Sequence, residues 1–432
     1  MQHQRLDGEA KCALGPLPSE ARCYTGVMLS TWPYRRRTGP LFILAMAAAI
    51  VSACAAPRSP FPDHSRVAVY PPLPERGPEM PMSAAPVLAL AALPTLGEIL
   101  PSLSEQRLVY IGETHDRYSH HLAQLEIIRY LHGVDPRLAI GVEFFQQPFQ
   151  PQLDAYIAGQ IDERELLISA QYFKRWGYDY RLYAPIVRYA RDHGLPLLAL
   201  SAPGELIDAV RERGVDGLEP GNHAGLPADI DRSDRDYERR VREVFHMHAH
   251  RGNGVQDFDR FLEVQLLWDE AMAERAVDYL RQHPEHRLVI LAGSGHVAFR
   301  SGIPRRVERR IGIDGAVVLV DWAGPLGAGL ADYLLLPEAR SLPPAGRMGA
   351  FLFDDEGGGV KVTSCVEGSA CEQAGIQRGD QLLAVDGTGV ESVGGVRALL
   401  WNRAPGERVL VTMRRERMLL PPEERELELE LR

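Results

Sequence analysis

The sequence predicts an α/β domain with a mostly parallel sheet flanked by helices, followed by a small β-barrel/α domain. Two observations carry this. From Leu96 to Trp322, short apolar β-prone runs alternate with segments of helical spacing. Beyond the proline-bearing stretch Leu336–Pro344 the pattern changes to short strands set off by glycine-rich turns.

In chain order, Leu108 to Ile111 is apolar and β-prone and reads as the first strand, broken by Gly112. Thr114 or Asp116 is the expected cap of the next helix, in which Leu122, Leu125, Ile128 and Leu131 keep one face. Leu138–Phe144 is a second strand, Leu195–Leu200 a third, Leu288–Leu291 a fourth and Ala316–Val320 a fifth. Helical spacing fills Gln152–Ile157, Arg164–Ala170, Leu182–Arg191 and Glu205–Arg213, then the longer Asp234–His250 and Asp257–Gln282. Residues 214–231 read as a loop. Short apolar strands separated by helices are those of a parallel sheet covered on both faces.

Composition fits a folded protein of two or three domains: 432 residues, 45% hydrophobic and 25% charged. A net charge of -10 with no long basic run past the N-terminal region argues against broad nucleic-acid binding as the main role. The cysteines Cys12, Cys23, Cys54, Cys365 and Cys371 contain no CxxC pair, which argues against structural zinc. Spacing alone leaves open whether Cys365 and Cys371 pair.

Arg35, Arg36 and Arg37 precede an apolar run, Leu41 to Ala53, too short to span a bilayer but suited to a secretory signal. It ends Val51-Ser52-Ala53-Cys54, which resembles the lipobox of bacterial lipoproteins. That resemblance implies a lipid on Cys54, and Ala55 after it implies the outer membrane. Residues 1–27 lack signal character, and Met28 is the more natural start. Residues 1–54 are therefore taken as extension and signal, and the proline-rich residues 55–95 as a tether. Residues 96–323, 324–346 and 347–432 are then the α/β domain, a linker and the small domain.

Parallel strands would gather Glu113, Glu143 and His296 at one sheet edge with His115, where open α/β sheets bind ligands. Two carboxylates and two histidines there suit a divalent metal or an acid/base set. The plainer expectations are a salt bridge from Glu143 to an arginine such as Arg175, and a turn histidine at 296. His246 and His250, four apart, share a helix face that suits a metal or haem, or a solvated helix end.

The runs Gly112-Glu113-Thr114-His115-Asp116, Trp176-Gly177-Tyr178-Asp179-Tyr180 with Tyr183 and Pro185, Leu267-Trp268-Asp269-Glu270-Ala271-Met272-Ala273, Ala292-Gly293-Ser294-Gly295-His296 and Gly302-Ile303-Pro304-Arg305 resemble the ChaN family. These are haem-binding bacterial lipoproteins within the Tiki/TraB/erythromycin-esterase superfamily. The resemblance implies an iron-regulated envelope protein that binds haem, as a homodimer enclosing a pair of haems. It also implies a Glu/His site (Glu113, His115, Glu143, His296) that is catalytic in other branches. Haem needs apolar walls and an axial ligand; His115, His296, Tyr178, Tyr180, His246 and His250 are the candidates, and the tyrosines equally suit core packing.

After Pro344, Gly349-Ala350-Phe351-Leu352, Gly359-Val-Lys-Val-Thr363, Gly368–Gly375, Arg378–Gly387 and Pro405–Met413 resemble a bacterial PDZ domain. The resemblance implies capture of an envelope protein's peptide at Gly349, Ala350, Phe351 and Leu352 by strand addition; Phe351 departs from the usual pattern, and packing or dimerisation is the other use of such a fold. The leading expectation is a lipid-anchored, haem-binding envelope protein, facing the periplasm or cell surface. The competing one is a metal-dependent hydrolase or peptidase using Glu113, His115, Glu143 and His296.

Overall fold

The computed structural model describes residues 93–219, 224–250 and 257–432. Cys54 and the signal-like run fall outside them, as do the side chains of residues 247–250, His250 among them. No helix among the described residues is long and apolar enough to cross a membrane.

The first domain runs α1 (Leu96–Ser104), β1 (Leu108–Glu113), α2 (Tyr118–Val134), β2 (Leu138–Gln146), α3 (Gln150–Ile157), α4 (Glu163–Ser169), α5 (Tyr172–Arg175), α6 (Ala184–Asp192), β3 (Leu197–Ser201), α7 (Gly204–Arg213), α8 (Arg235–His250), α9 (Phe258–Gln282), β4 (Arg287–Gly293), α10 (Ile303–Ile311), β5 (Ala316–Val320) and β6 (Tyr333–Leu335). The strands form one six-stranded sheet in the order β3-β2-β4-β1-β5-β6, and every pair is parallel. All six residues of β1 and all five of β5 are buried, as expected of central parallel strands. One core, holding Ile127, Ile128, Ile140 and Val142, lies under α1–α6; the other, holding Met272, Val277, Ile290 and Val307, lies under α9 and α10.

The helix after β1 begins differently from expectation. Its N-cap is Arg117, without a side-chain cap bond, so neither Thr114 nor Asp116 caps it. The turn is held from inside the helix: the Thr114 N–H donates to His120 Nδ1 at 3.0 Å. β6 and α1 add elements that periodicity did not single out, because each is short and only partly apolar.

The second domain runs β7 (Ala350–Asp354), β8 (Val360–Cys365), α11 (Ala370–Gln373), β9 (Gln381–Val385), β10 (Thr388–Gly389), α12 (Val393–Leu400), β11 (Arg408–Arg417) and β12 (Leu420–Glu430), with β12-β11-β9-β8-β7 antiparallel in one sheet. Cys365 and Cys371 are disulfide-bonded. α12 packs on α4 and α5 of the first domain. There the Arg397 guanidinium lies 4.7 Å from the Phe173 ring centre, Trp401 meets Tyr180 edge-on at 5.0 Å, and Ala398 joins the first domain's core.

Gly112, near the end of β1, shows how tight the centre is. A Cβ there would sit 2.6 Å from Leu319 and 2.7 Å from Val297. Gly112→Ala is therefore expected to lower unfolding stability by about 1–3 kcal/mol through overpacking, read as a lower urea midpoint with an unchanged m-value.

Candidate functional site

The register of three adjacent strands builds the site. Glu113, the last residue of β1, lies opposite Gly293, the last of β4; Val142 of β2 lies opposite Leu291, which sets Glu143 at the same edge. β4 runs directly into the short turn Ser294–His296. Glu113, Glu143 and His296 thus meet at the carboxyl edge, joined by His115 from the turn after β1. Gly293 makes room: a Cβ there would lie 3.0 Å from the His115 ring.

Carboxylates and imidazoles alternate across this edge. Glu113 is buried, with Oε1 2.8 Å from His115 Nδ1 and Oε2 2.7 Å from His121 Nδ1. His121 Nε2 donates to the His115 carbonyl at 3.1 Å, and its Nδ1 also lies 3.1 Å from Gln124 Oε1, so both of its nitrogens face acceptors. Glu143 accepts from the Gly293 N–H at 2.7 Å; its Oε1 lies 3.5 Å from His296 Nε2 and 4.0 Å from His115 Nε2. His296 Nδ1 is held at 2.6 Å by Asp269 of α9, which is fully buried and also accepts from the Tyr237 hydroxyl at 2.6 Å. Each of the two outer imidazoles therefore has a carboxylate behind Nδ1 and presents Nε2 toward Glu143.

Burial and partners pull the ionisation of these groups in opposite directions, and the partners win. Desolvation raises the Glu113 and Glu143 carboxyls, but the adjacent imidazoles and hydrogen bonds hold both below the usual carboxylate range, Glu143 at about 2. Desolvation lowers His115, His121 and His296, yet Glu143 and Glu113 raise the first two, and Glu143 with Asp269 lifts His296 well above the ordinary value. His120 goes the other way: burial lowers it, and its Nδ1 accepts from Thr114, so it is neutral.

Aromatic rings cover the His115 side. Trp176 lies 5.0 Å and Tyr178 4.9 Å from its ring centre, and the Tyr183 hydroxyl reaches Glu113 Oε1 at 3.4 Å. Burial pushes the Tyr178 phenol up to about 12, and its hydroxyl has no hydrogen-bond partner among the described residues. On the His296 side a cavity of about 160 Å³ is walled by Val241, Val244, Phe261, Phe299 and Trp322.

Of the expected site residues, Glu113, His115, Glu143, His296 and Tyr178 come together. Glu113 faces inward on two histidines rather than toward the Glu143 side. Arg175 pairs with Glu205 and Gln146, not with Glu143. Tyr180 is elsewhere: fully buried, bonded to Glu163 and packed between Tyr172 and Trp401, it belongs to the interface with the second domain. His246 is exposed on α8. Among the described residues, His283, Glu285 and His286, away from this edge, offer three ligand atoms that all lie within 4.8 Å of one another.

His121 and Asp269 were not singled out as functional from sequence. His121 stands in the first motif, directly after a second histidine, and Asp269 in the Trp-Asp-Glu run; a pair of acids within an otherwise apolar stretch of a long helix was the available signal. The neighbouring Glu270 is buried too, and holds Arg306, itself buried, at 3.0 Å and Arg310 at 2.6 Å.

In the second domain Gly349, Ala350, Phe351 and Leu352 line a groove of about 440 Å³ between β7 and α12, with Val396 and Leu400 opposite. Phe173 and Asp179 of the first domain also line it. Gly349 has φ +72°, and a Cβ there would fall 2.3 Å from Ser369, so only glycine fits.

Comparison with known proteins identifies both domains. Residues 99–307 match the family described as haem-binding uptake, Tiki superfamily, ChaN, and residues 346–429 match the PDZ domain. Protein RETICULATA-RELATED 5, chloroplastic, of Arabidopsis thaliana is 24% identical over 229 residues, 48% of this chain but 30% of that protein. The chain thus spans under a third of that relative's length. Among solved structures, ChaN of Campylobacter jejuni, described with cofacial haem binding, aligns over 56% of this chain and 92% of that one, at 18% identity and TM-score 0.46. The erythromycin esterase EreC in its open conformation aligns over 54% and 77%, at 19% identity and TM-score 0.33.

The network makes stability depend on pH in both directions. The raised histidines contribute fully below their ordinary 6.5, and that contribution fades as pH rises through their folded values. The lowered glutamates contribute fully above 4.5 and lose it as pH falls. The two overlap between about pH 4.5 and 6.5, where urea unfolding should show this edge's greatest contribution. Asp269→Asn, which leaves one buried imidazole short of a counter-charge, should lower the His296 pKa in a histidine-resolved NMR titration and cost about 3–5 kcal/mol at pH 6.

Proposed function

From a chain whose residues 99–307 belong to the ChaN haem-binding uptake family of the Tiki superfamily and whose residues 346–429 form a PDZ domain, we propose a lipid-anchored bacterial envelope protein that binds haem for iron uptake and docks an envelope partner through the PDZ groove. The observation that carries the haem reading is the Tyr178 phenol beside His115: half-buried, without a hydrogen-bond partner among the described residues, at the mouth of an aromatic-lined edge.

The donor set suits ferric haem. Nδ1 of His115 and of His296 is taken by Glu113 and Asp269, and the Nε2 of each faces Glu143, whose charge raises both imidazoles. Tyr178 is the available oxygen donor, and the Trp176 ring, 5.6 Å from its own, offers apolar wall beside it. Tyr178 would hold the haem through its phenol oxygen, and the bound group would supply a ferric centre. Burial raises that phenol to about 12, so binding through its oxygen would release a proton and be favoured as pH rises. The buried acid–imidazole chain fixes the His115 ring against which Tyr178 and Trp176 pack.

The envelope assignment is supported by the lipobox-like Val51–Cys54 after an apolar run, and by the Cys365–Cys371 bond, which suits an oxidising compartment. We place the anchor in the outer membrane, by the residue after Cys54, and take a homodimer as the haem-loaded state.

One observation favours a second reading. Two imidazoles, each oriented by a carboxylate at Nδ1 and aimed at Glu143, are the arrangement of a hydrolase acid/base pair. Haemin titration of the full chain decides between them. A saturable Soret change at near-stoichiometric haemin is expected, weakened by at least about tenfold in Tyr178→Phe and little altered in His296→Ala. No saturable change, together with ester or peptide hydrolysis abolished by His296→Ala, is the hydrolase result.

A further inference from the structure

The turn between α9 and β4, at the amino-terminal edge of the sheet and remote from Glu143, carries a second cluster of donors. Its sequence is His283-Pro284-Glu285-His286. One ligand atom from each of His283, Glu285 and His286 lies within 4.8 Å of the other two. His286 Nε2 is 3.5 Å from Glu285 Oε1. Around a tetrahedral ion with bonds of about 2 Å, neighbouring ligand atoms stand roughly 3.3 Å apart, so this pair already has the required separation. The two rings face each other at 5.0 Å with planes 31° apart.

Two further features organise the turn. His286 Nδ1 is bonded to the Tyr279 hydroxyl at 2.7 Å, which leaves Nε2 as the free donor and fixes the ring, as outer partners do around metal-bound histidines. Arg107, just before β1, donates to the carbonyls of Leu280, His283 and His286 at 3.0, 3.4 and 3.2 Å. One guanidinium therefore ties down the backbone that carries both histidines, and the His286 N–H closes the turn on the His283 carbonyl at 3.1 Å. With both histidines half-buried and Glu285 exposed, the donors face solvent from a fixed frame.

We propose that His283, Glu285 and His286 form a zinc-binding site with an open coordination position. Two imidazoles and one carboxylate suit a borderline divalent ion. Calcium and magnesium demand more oxygen donors than the turn offers. Three protein ligands leave one tetrahedral position for water or an incoming donor. This site is independent of the haem reading.

The test is equilibrium dialysis of the full, metal-stripped chain against zinc chloride at pH 7.5, with stoichiometry and affinity read for native protein and variants. Glu285→Ala alters an exposed side chain and should leave the fold intact, which thermal unfolding of the metal-free protein checks. It and His286→Ala should each remove one equivalent of zinc. Tyr279→Phe should keep the site but weaken it by about 10- to 100-fold. His296→Ala should leave that equivalent in place. The proposal is overturned if Glu285→Ala and His286→Ala bind zinc as the native chain does, or if the equivalent is lost in His296→Ala instead.

Discussion

Three carboxylates, Glu113, Glu143 and Asp269, sit at the buried end of a parallel sheet, and the architecture around them follows from the need to neutralise them. An unpaired carboxylate there would cost several kcal/mol. Each is met by imidazole: Glu113 by His115 and His121, Glu143 by His115 and His296, Asp269 by His296. That requirement explains why α2 turns a histidine inward and why α9 carries an acid among apolar neighbours. It also explains why Gly293 has no side chain where the His115 ring crosses it. Neutralisation has a geometric consequence: Nε2 of both outer imidazoles faces Glu143, so the phenol of Tyr178 is the donor beside them that faces no carboxylate.

Much of the frame was legible in the chain. Strand runs such as Leu108–Ile111 and Ala316–Val320 were recognisable because central parallel strands are apolar throughout. Once the strands were parallel, Glu113, Glu143 and His296 had to share an edge. What remained hidden depended on contacts between residues far apart in sequence. Asp269 reaches His296 across 27 positions, and Tyr180 was drawn to the second domain by Trp401 across more than two hundred. An aromatic in a Trp-Gly-Tyr-Asp segment looks the same in sequence whether it faces a ligand or a neighbouring domain. The start of α2 was hidden for a related reason: the Thr114 N–H is satisfied by His120 from within α2, and Arg117 stands at the N-cap position.

The second domain is joined to the first by packing rather than by tether alone. α12, one wall of the peptide groove, rests on α4 and α5 through Arg397, Ala398 and Trp401. α5 leads directly into Trp176 and Tyr178, which cover His115. The groove and the acid–histidine edge therefore share one short stretch of chain, residues 172–183, whose rings serve the core, the interface and the site at once.

The most direct test of the central claim is to locate iron in crystals of the haemin-bound chain by anomalous scattering at the iron edge. The account predicts an iron peak within bonding distance of the Tyr178 hydroxyl oxygen, with the Glu113–His115–Glu143–His296–Asp269 chain intact beneath it. Iron bound instead by His246 on α8, or found only at the second domain, would contradict it.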